Sequence, residues 1–170
     1  MAARLCHVVE RMPSARLTVL GDVVADEYIF GQPVRLSREA PIPVLEFRGR
    51  RVLPGAGTNA AASARSLGAQ VSVAGVVGDD EIGRELRSQL EGAGIDVEGI
   101  AVDGRRSTCV KTRIVAGDTQ VFHQQVARID RVDYRTIEDG VNEQLWAFLN
   151  ARLSGVEALL IACLLYTSDA

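Results

Sequence analysis

Short apolar runs alternate with helical periodicity along most of the chain. Residues 17–20 (Leu-Thr-Val-Leu) are apolar apart from one threonine and end at Gly21-Asp22, which predicts a buried strand. Residues 42–47 come with two prolines, Pro41 and Pro43, and fit an edge strand better than a central one. Arg48-Gly49-Arg50-Arg51 then reads as a turn leading into Val52-Leu53. Residues 28–53 are therefore expected to form a small β excursion instead of a βαβ unit.

At Thr58 the pattern changes. Residues 58–67 are Ala-rich and stop before Gly68, a helix with glycine just beyond its end. Residues 71–77 are apolar and β-branched, a second buried strand closed by Gly78. Asp79 or Asp80 can cap the next helix, with Glu81 in its first turn. Ile82, Leu86 and Leu90 share one helical face, and Gly92 and Gly94 end it. Strands are expected at 100–102, 110–115 and 120–124, with Gly117-Asp118 as a hairpin turn between the last two. Residues 136–153 carry Ile137, Val141, Leu145 and Leu149 as an i+4 stripe, with Trp146 and Phe148 beside it. A final apolar strand covers 158–161. This alternation predicts an α/β fold with a mostly parallel sheet covered by helices.

Composition narrows the function. With 170 residues and 47% hydrophobic content, the chain suits one globular domain or part of a larger one. A net charge of -3 argues against nucleic acid as the main partner. Cys6, Cys109 and Cys163 are too few and too scattered for a disulfide framework or a zinc site. No apolar run reaches the roughly 18 residues of a membrane span. The first residues lack the apolar stretch of a secretory signal, so a soluble cytoplasmic protein is expected. Of nineteen basic residues, one is lysine, Lys111, in an otherwise arginine-only chain. That isolates Lys111 as a candidate, with a solvated surface lysine as the alternative. His7 and His123 look incidental.

Two segments carry candidate chemistry. Pro54-Gly55-Ala56-Gly57-Thr58-Asn59 precedes a helix, where glycines allow close backbone approach and free N–H groups attract oxygens. A dinucleotide fingerprint would need a third glycine where Ala60 stands, and a buried first strand directly before it. A plain glycine turn into a tightly packed Ala helix is the structural alternative. The second segment, Gly21-Asp22-Val23-Val24-Ala25-Asp26-Glu27-Tyr28, follows strand one, at the end where open α/β sheets bind ligands. A carboxylate there can accept hydrogen bonds from two neighbouring hydroxyls, as in a sugar diol. A loop-capping role for Asp22 or Asp26 is the alternative.

At these two segments the chain resembles the ribokinase-like (PfkB) carbohydrate kinases. Further matching pieces are Leu67-Gly68-Ala69, Val76-Val77-Gly78-Asp79-Asp80-x-x-Gly83 and Leu90-x-x-x-Gly94-Ile95-Asp96. Their order spans nearly the whole chain. Within the family, Arg35-Leu36-Ser37-Arg38-Glu39-Ala40-Pro41-Ile42-Pro43-Val44, Thr108-Cys109-Val110-Lys111-Thr112-Arg113 and Arg128-Ile129-Asp130 resemble the heptose-phosphate kinases of ADP-heptose biosynthesis, a route to lipopolysaccharide. That subfamily often fuses the kinase to a nucleotidyltransferase domain. Ala56 departs from the pattern, since the family often has glycine there.

The resemblance implies a three-layer α/β/α sandwich with a small β lid, its strands within about 28–53 and 100–124, truncated here. It implies transfer of the ATP γ-phosphoryl to a sugar hydroxyl with Mg2+ in the complete enzyme. Asp26 would accept from sugar hydroxyls, Gly55, Ala56 and Gly57 would present backbone N–H groups, and Asn59 would orient the sugar. Lys111 and Arg113, alternating on one predicted strand, and Arg128 would grip a sugar phosphate. Heptose 7-phosphate would give heptose 1,7-bisphosphate. A kinase for another sugar or nucleoside, or a non-catalytic sugar-binding module, are the alternatives. Homodimers through the lid occur in the family; neither nucleic acid nor membrane is an expected partner.

The family's catalytic Asp lies in a Gly-Ala-Gly-Asp motif, which these 170 residues lack; Asp79-Asp80 follows a different strand without the glycine turn. The chain as written is therefore expected to be inactive. Cys163-Leu164-Leu165-Tyr166-Thr167-Ser168-Asp169-Ala170 resembles the translation of a transposon adapter used in sequencing libraries. Residues 1–162 are then expected to be the N-terminal part of one kinase domain and 163–170 foreign to it, a genuine C-terminus being the alternative.

Overall fold

The computed structural model describes residues 2–118 and 121–163, except for the side chains of 2–5, 118 and 121–123. Two four-stranded sheets organise it. The central sheet has the order β5-β4-β1-β8, with β1 Arg16–Gly21, β4 Gln70–Gly78, β5 Asp96–Asp103 and β8 Ala158–Ala162. Every pair in it is parallel. Its inner strands read as near-continuous apolar runs because both faces are covered. Val19, Val73 and Val77 are buried accordingly.

Helices α2 Ala56–Ser66 and α3 Glu81–Gly92 cover one face, where Ala61, Leu86 and Leu90 join Val19, Val71 and Val73. Helix α4 Asp139–Arg152 covers the other, through Val141, Leu145 and Leu149 against Ala74 and Ala101. These layers form the expected α/β/α sandwich. Of the stripe at 136–153, Ile137 falls before the helix and Trp146 is exposed. Helix α1 Ala2–Arg11 had no expectation attached to it; its Val8 and Val9 are exposed.

The second sheet has the order β3-β2-β6-β7, with β2 Val23–Leu36, β3 Pro43–Gly55, β6 Cys109–Asp118 and β7 Val121–Arg131. Residues 48–51, expected above to form a turn, do not. They continue β3, which bulges where Phe30/Gly31 face Gly49/Phe47 and stays paired with β2. The Arg/Gly-rich stretch suggested a turn, but the long partner strand β2 keeps it extended. β3 is an edge strand, as its prolines require. Residues 100–102 belong to β5 in the central sheet, so the lid sheet holds nothing from that segment. Gly117 and Asp118 remain in β6, with Asp118 paired to Val121; residues 119 and 120 lie outside the described residues. Residues 164–170 of the C-terminal segment also lie outside them.

Candidate functional site

Asp26 lies within β2 and not in a loop after strand one, because β2 starts one residue after Asp22. The sheet register places it opposite Leu53 of β3 and beside Lys111 of β6. In the next row but one, Tyr28 lies between Arg51 and Arg113. β7 adds Asp130 beside Lys111 and Arg128 beside Arg113. Strand side chains alternate, so residues paired in register share a face. Asp26, Tyr28, Arg51, Lys111, Arg113 and Arg128 therefore lie on one face of this sheet.

Contacts bind several of them together. Arg113 Nη1 donates to Asp26 Oδ1 at 2.6 Å. Its guanidinium lies 5.3 Å from the Tyr28 ring centre, a cation–π distance. The Tyr28 and Phe30 rings stack at 6.2 Å. The hydrogen bond that Arg113 donates to Asp26 raises the Arg113 pKa above its ordinary value, so this group stays cationic. Side-chain exposure is 21% for Arg113 and 24% for Asp26, which limits water's access to the pair. Arg128 is half exposed and ion-paired to Asp130 at 2.9 Å. Among the described residues Lys111 has no ion-pair partner.

The turn at 55–59 meets Asp26 directly. Val24 pairs with Gly55 across β2 and β3. A Cβ at Gly55 would lie 2.8 Å from Asp26 Cγ and 2.9 Å from its Oδ2, so glycine is required for this approach. Oδ1 thus faces Arg113 and Oδ2 faces the turn. Ala56 follows at φ +47°, the one non-glycine positive φ among the described residues. Thr58 Oγ1, fully buried, donates to the Gly55 carbonyl at 2.6 Å and pins the turn.

Gly57 behaves differently from its expected role. It is buried, and its N–H donates to the Asp22 carbonyl at 3.2 Å, so that amide closes the turn onto the end of β1. A Cβ there would come within 3.4 Å of Ala162 Cβ on β8, so Gly57 also sets the helix-to-sheet spacing. Asn59 is exposed in the first turn of α2.

Two concavities adjoin these groups. A groove of about 400 Å3 runs along the lid face, lined by Tyr28, Phe30, Arg51, Leu53, Arg113 and Gln125 among others. A cavity of about 550 Å3 lies at the carboxyl ends of β1 and β4, with Gly21, Asp22, Gly75, Arg106, Cys109 and Tyr134 in its wall. Tyr28 and Arg51 were not singled out from sequence. The signal for Tyr28 was the i, i+2 series Asp26-Tyr28-Phe30, legible once 23–36 is read as one strand, and Arg51 follows only from its pairing with Tyr28.

The opposite face of the lid sheet is its anchor. Glu27 accepts from Arg50 Nε at 2.5 Å and from Thr112 Oγ1 at 2.6 Å, and Arg50 reaches Glu85 of α3 at 3.0 Å. Burial alone would raise the Glu27 pKa; the bonds from Thr112 and Arg50 outweigh it, and the net direction is down. Asp80 caps α3 by accepting from the Gly83 N–H at 2.8 Å. It also accepts from the Thr108 N–H and hydroxyl at 2.8 and 2.7 Å, which fixes the start of β6. Its pKa too is lowered, burial being outweighed by those Thr108 and Gly83 bonds. The Gly78-Asp79-Asp80-x-x-Gly83 motif is thus a clamp between α3 and the lid. Among the described residues no group of three or more His, Cys, Asp or Glu side chains is arranged to hold a metal ion.

Comparison with known proteins bears on this arrangement. The profile described as pfkB family carbohydrate kinase matches residues 15–131. The bifunctional protein HldE of Geobacter metallireducens is 40% identical over 144 residues, 85% of this chain and 28% of that protein. The bifunctional protein HldE of Helicobacter pylori is 36% identical over 147 residues, 86% of this chain and 31% of that one. The chain therefore spans less than a third of the length of these relatives. Among solved structures, a carbohydrate kinase from Agrobacterium tumefaciens superposes with a TM-score of 0.58 at 20% identity, over 86% of this chain and 45% of that one. Arabidopsis thaliana ribokinase complexed with ribose and ATP gives 0.51 at 19% identity, over 69% of this chain and 36% of that one. These two likenesses show the fold alone.

Proposed function

The chain belongs to the pfkB family of carbohydrate kinases, and from that premise we propose that it is the sugar-binding part of an ATP-dependent kinase for a heptose 7-phosphate. The observation that carries this reading is the meeting of Asp26 with Gly55 and Arg113 on the face of the lid sheet. A carboxylate held at the mouth of a turn is suited to accept from two sugar hydroxyls. The amides of Gly55 and Ala56 would line the same side, and Asn59 would orient the sugar from the helix. Lys111, Arg113 and Arg128 form a cationic row on that face, suited to a terminal phosphate. Similarity to HldE over most of the chain supports the heptose as the sugar.

In this reading ATP supplies the γ-phosphoryl group and Mg2+ neutralises its charge. No described residue is assigned to either ligand. The chain's own residues bind and orient the acceptor, which is a large share of phosphoryl-transfer catalysis. The lid would keep water from competing with the sugar hydroxyl. The 170 residues lack a Gly-Ala-Gly-Asp segment, so they are proposed to be inactive alone, with residues 163–170 foreign to the natural protein. A cytoplasmic location and a lid-mediated homodimer complete the proposal.

The test is turnover of heptose 7-phosphate with ATP by the protein expressed from its full genomic reading frame. Activity that falls at least about 100-fold in Asp26→Ala, a loss of about 2.7 kcal/mol of transition-state binding, is the expected result. No turnover of the heptose beside brisk turnover of an unphosphorylated sugar would overturn the substrate. Full activity in Asp26→Ala would overturn the site.

A further inference from the structure

Arg113 occupies the carboxylate that a sugar would need. It donates to Asp26 Oδ1 at 2.6 Å and stacks over Tyr28, while Oδ2 faces the turn that Gly55 leaves open. A sugar diol that engages both oxygens of Asp26 must therefore displace or share the guanidinium at Oδ1. The neighbours decide what the displaced cation meets. Arg128 stands opposite it on β7 and is itself paired with Asp130; Lys111 presents its backbone carbonyl at 3.5 Å and carries a second positive charge. Among the described residues Asp26 is the one carboxylate in contact with Arg113. A neutral sugar would leave a guanidinium nearly four-fifths covered, with only the more distant Asp130, already paired to Arg128, to balance its charge, a costly state. A phosphate group offers Arg113 the bidentate acceptor it loses.

We propose that Arg113 is a counter-ion switch: it blocks Asp26 in the sugar-free protein, and an anionic phosphate draws it away to release the carboxylate for the sugar hydroxyls. The inference rests on the sugar-binding reading above. It goes further by coupling the two ends of the substrate, making Arg113 a gate as well as a grip. Linkage is reciprocal, so phosphate and a neutral sugar should help each other bind even as separate molecules.

That coupling is measured by titrating the protein, expressed from its full reading frame, with unphosphorylated heptose in the absence and presence of saturating inorganic phosphate. Phosphate is expected to tighten heptose binding about tenfold, or about 1.4 kcal/mol. In Arg113→Gln, heptose should bind tightly without phosphate and ignore it, while heptose 7-phosphate binds more weakly than in the wild type. Arg113→Lys, which keeps the charge without the fork, should retain part of the coupling and serves where Arg113→Gln does not fold. Binding of heptose 7-phosphate with no coupling between its separate parts, or weaker neutral heptose in Arg113→Gln, would refute the switch and leave the kinase reading standing. Failure of the wild type to bind heptose 7-phosphate at all would remove both.

Discussion

Replacing Ala56 by glycine should stabilise the protein, although the site lies where a kinase would meet its sugar. Ala56 sits at φ +47°, in the left-handed region. For an L-residue this conformation costs roughly 1–2 kcal/mol. Glycine avoids that cost but loses more backbone freedom on folding, about 0.5–1 kcal/mol relative to alanine. Taken at the centres of those ranges, the difference favours glycine by about 0.75 kcal/mol. The lost methyl subtracts little, since Ala56 belongs to neither apolar cluster. At about 2–4 °C per kcal/mol for a chain of this size, Ala56→Gly should raise Tm by about 1–4 °C in a thermal melt followed by circular dichroism. The neighbouring Gly55→Ala is the control of opposite sign: its methyl would meet Asp26 Cγ at 2.8 Å and should destabilise by about 1–3 kcal/mol. An unchanged or lower Tm in Ala56→Gly would mean that the turn carries no stored strain.

Three further outcomes are expected. Asp80→Ala removes a helix cap and leaves the Thr108 and Gly83 donors unpaired, so chemical denaturation should show a loss of about 2–4 kcal/mol, and a loss below about 0.5 kcal/mol would refute the clamp. Glu27 and Asp80 both have lowered pKa values, so their stabilisation is complete above the ordinary carboxylate range and disappears as pH falls through their lowered values; Glu27→Gln with Asp80→Asn should flatten the acid limb of the stability–pH curve, and an unaltered limb would count against these networks. On β8, Leu159, Leu160 and Ile161 are 39%, 39% and 68% exposed, so the 170-residue chain should self-associate in sedimentation experiments, and a monodisperse monomer at high concentration would contradict that.

The central sheet was largely legible in the sequence because its inner strands are buried on both faces and so are written in near-continuous apolar residues, and because β8, though exposed, is an apolar run as well. Residues 71–77 became β4 Gln70–Gly78 and 158–161 became β8 Ala158–Ala162 with little change. Asp80 proved to be the cap of α3, one of the two candidates, because a capping side chain has a fixed local offset from the N–H it accepts from. The lid sheet was harder to read. Its strands have one face toward the groove and lie partly in solvent, so Arg48, Arg50 and Arg51 within β3 looked like turn residues. Arg50 is in fact held by Glu27 and Glu85, partners 23 and 35 residues away, and no local pattern announces such pairs.

The same limitation explains why the sequence did not place Asp26 within a strand. Along β2 the alternation is carried by charge and aromaticity instead of by apolar and polar types. Asp26 and Tyr28 point to the groove face, where Arg113 joins both. Glu27, between them, points to the anchor face, where Arg50 and Thr112 hold it. Two carboxylates one residue apart thus receive opposite tasks from the pleat alone. A one-residue register slip of β2 would exchange them, placing Glu27 in the groove and Asp26 against α3. The anchor network resists that slip, because a slipped Asp26, shorter by one methylene, would have to reach both Arg50 and Thr112. The bonds that lower the Glu27 pKa therefore also keep Asp26 beside Gly55, and the candidate site depends on a salt bridge that it does not itself contain.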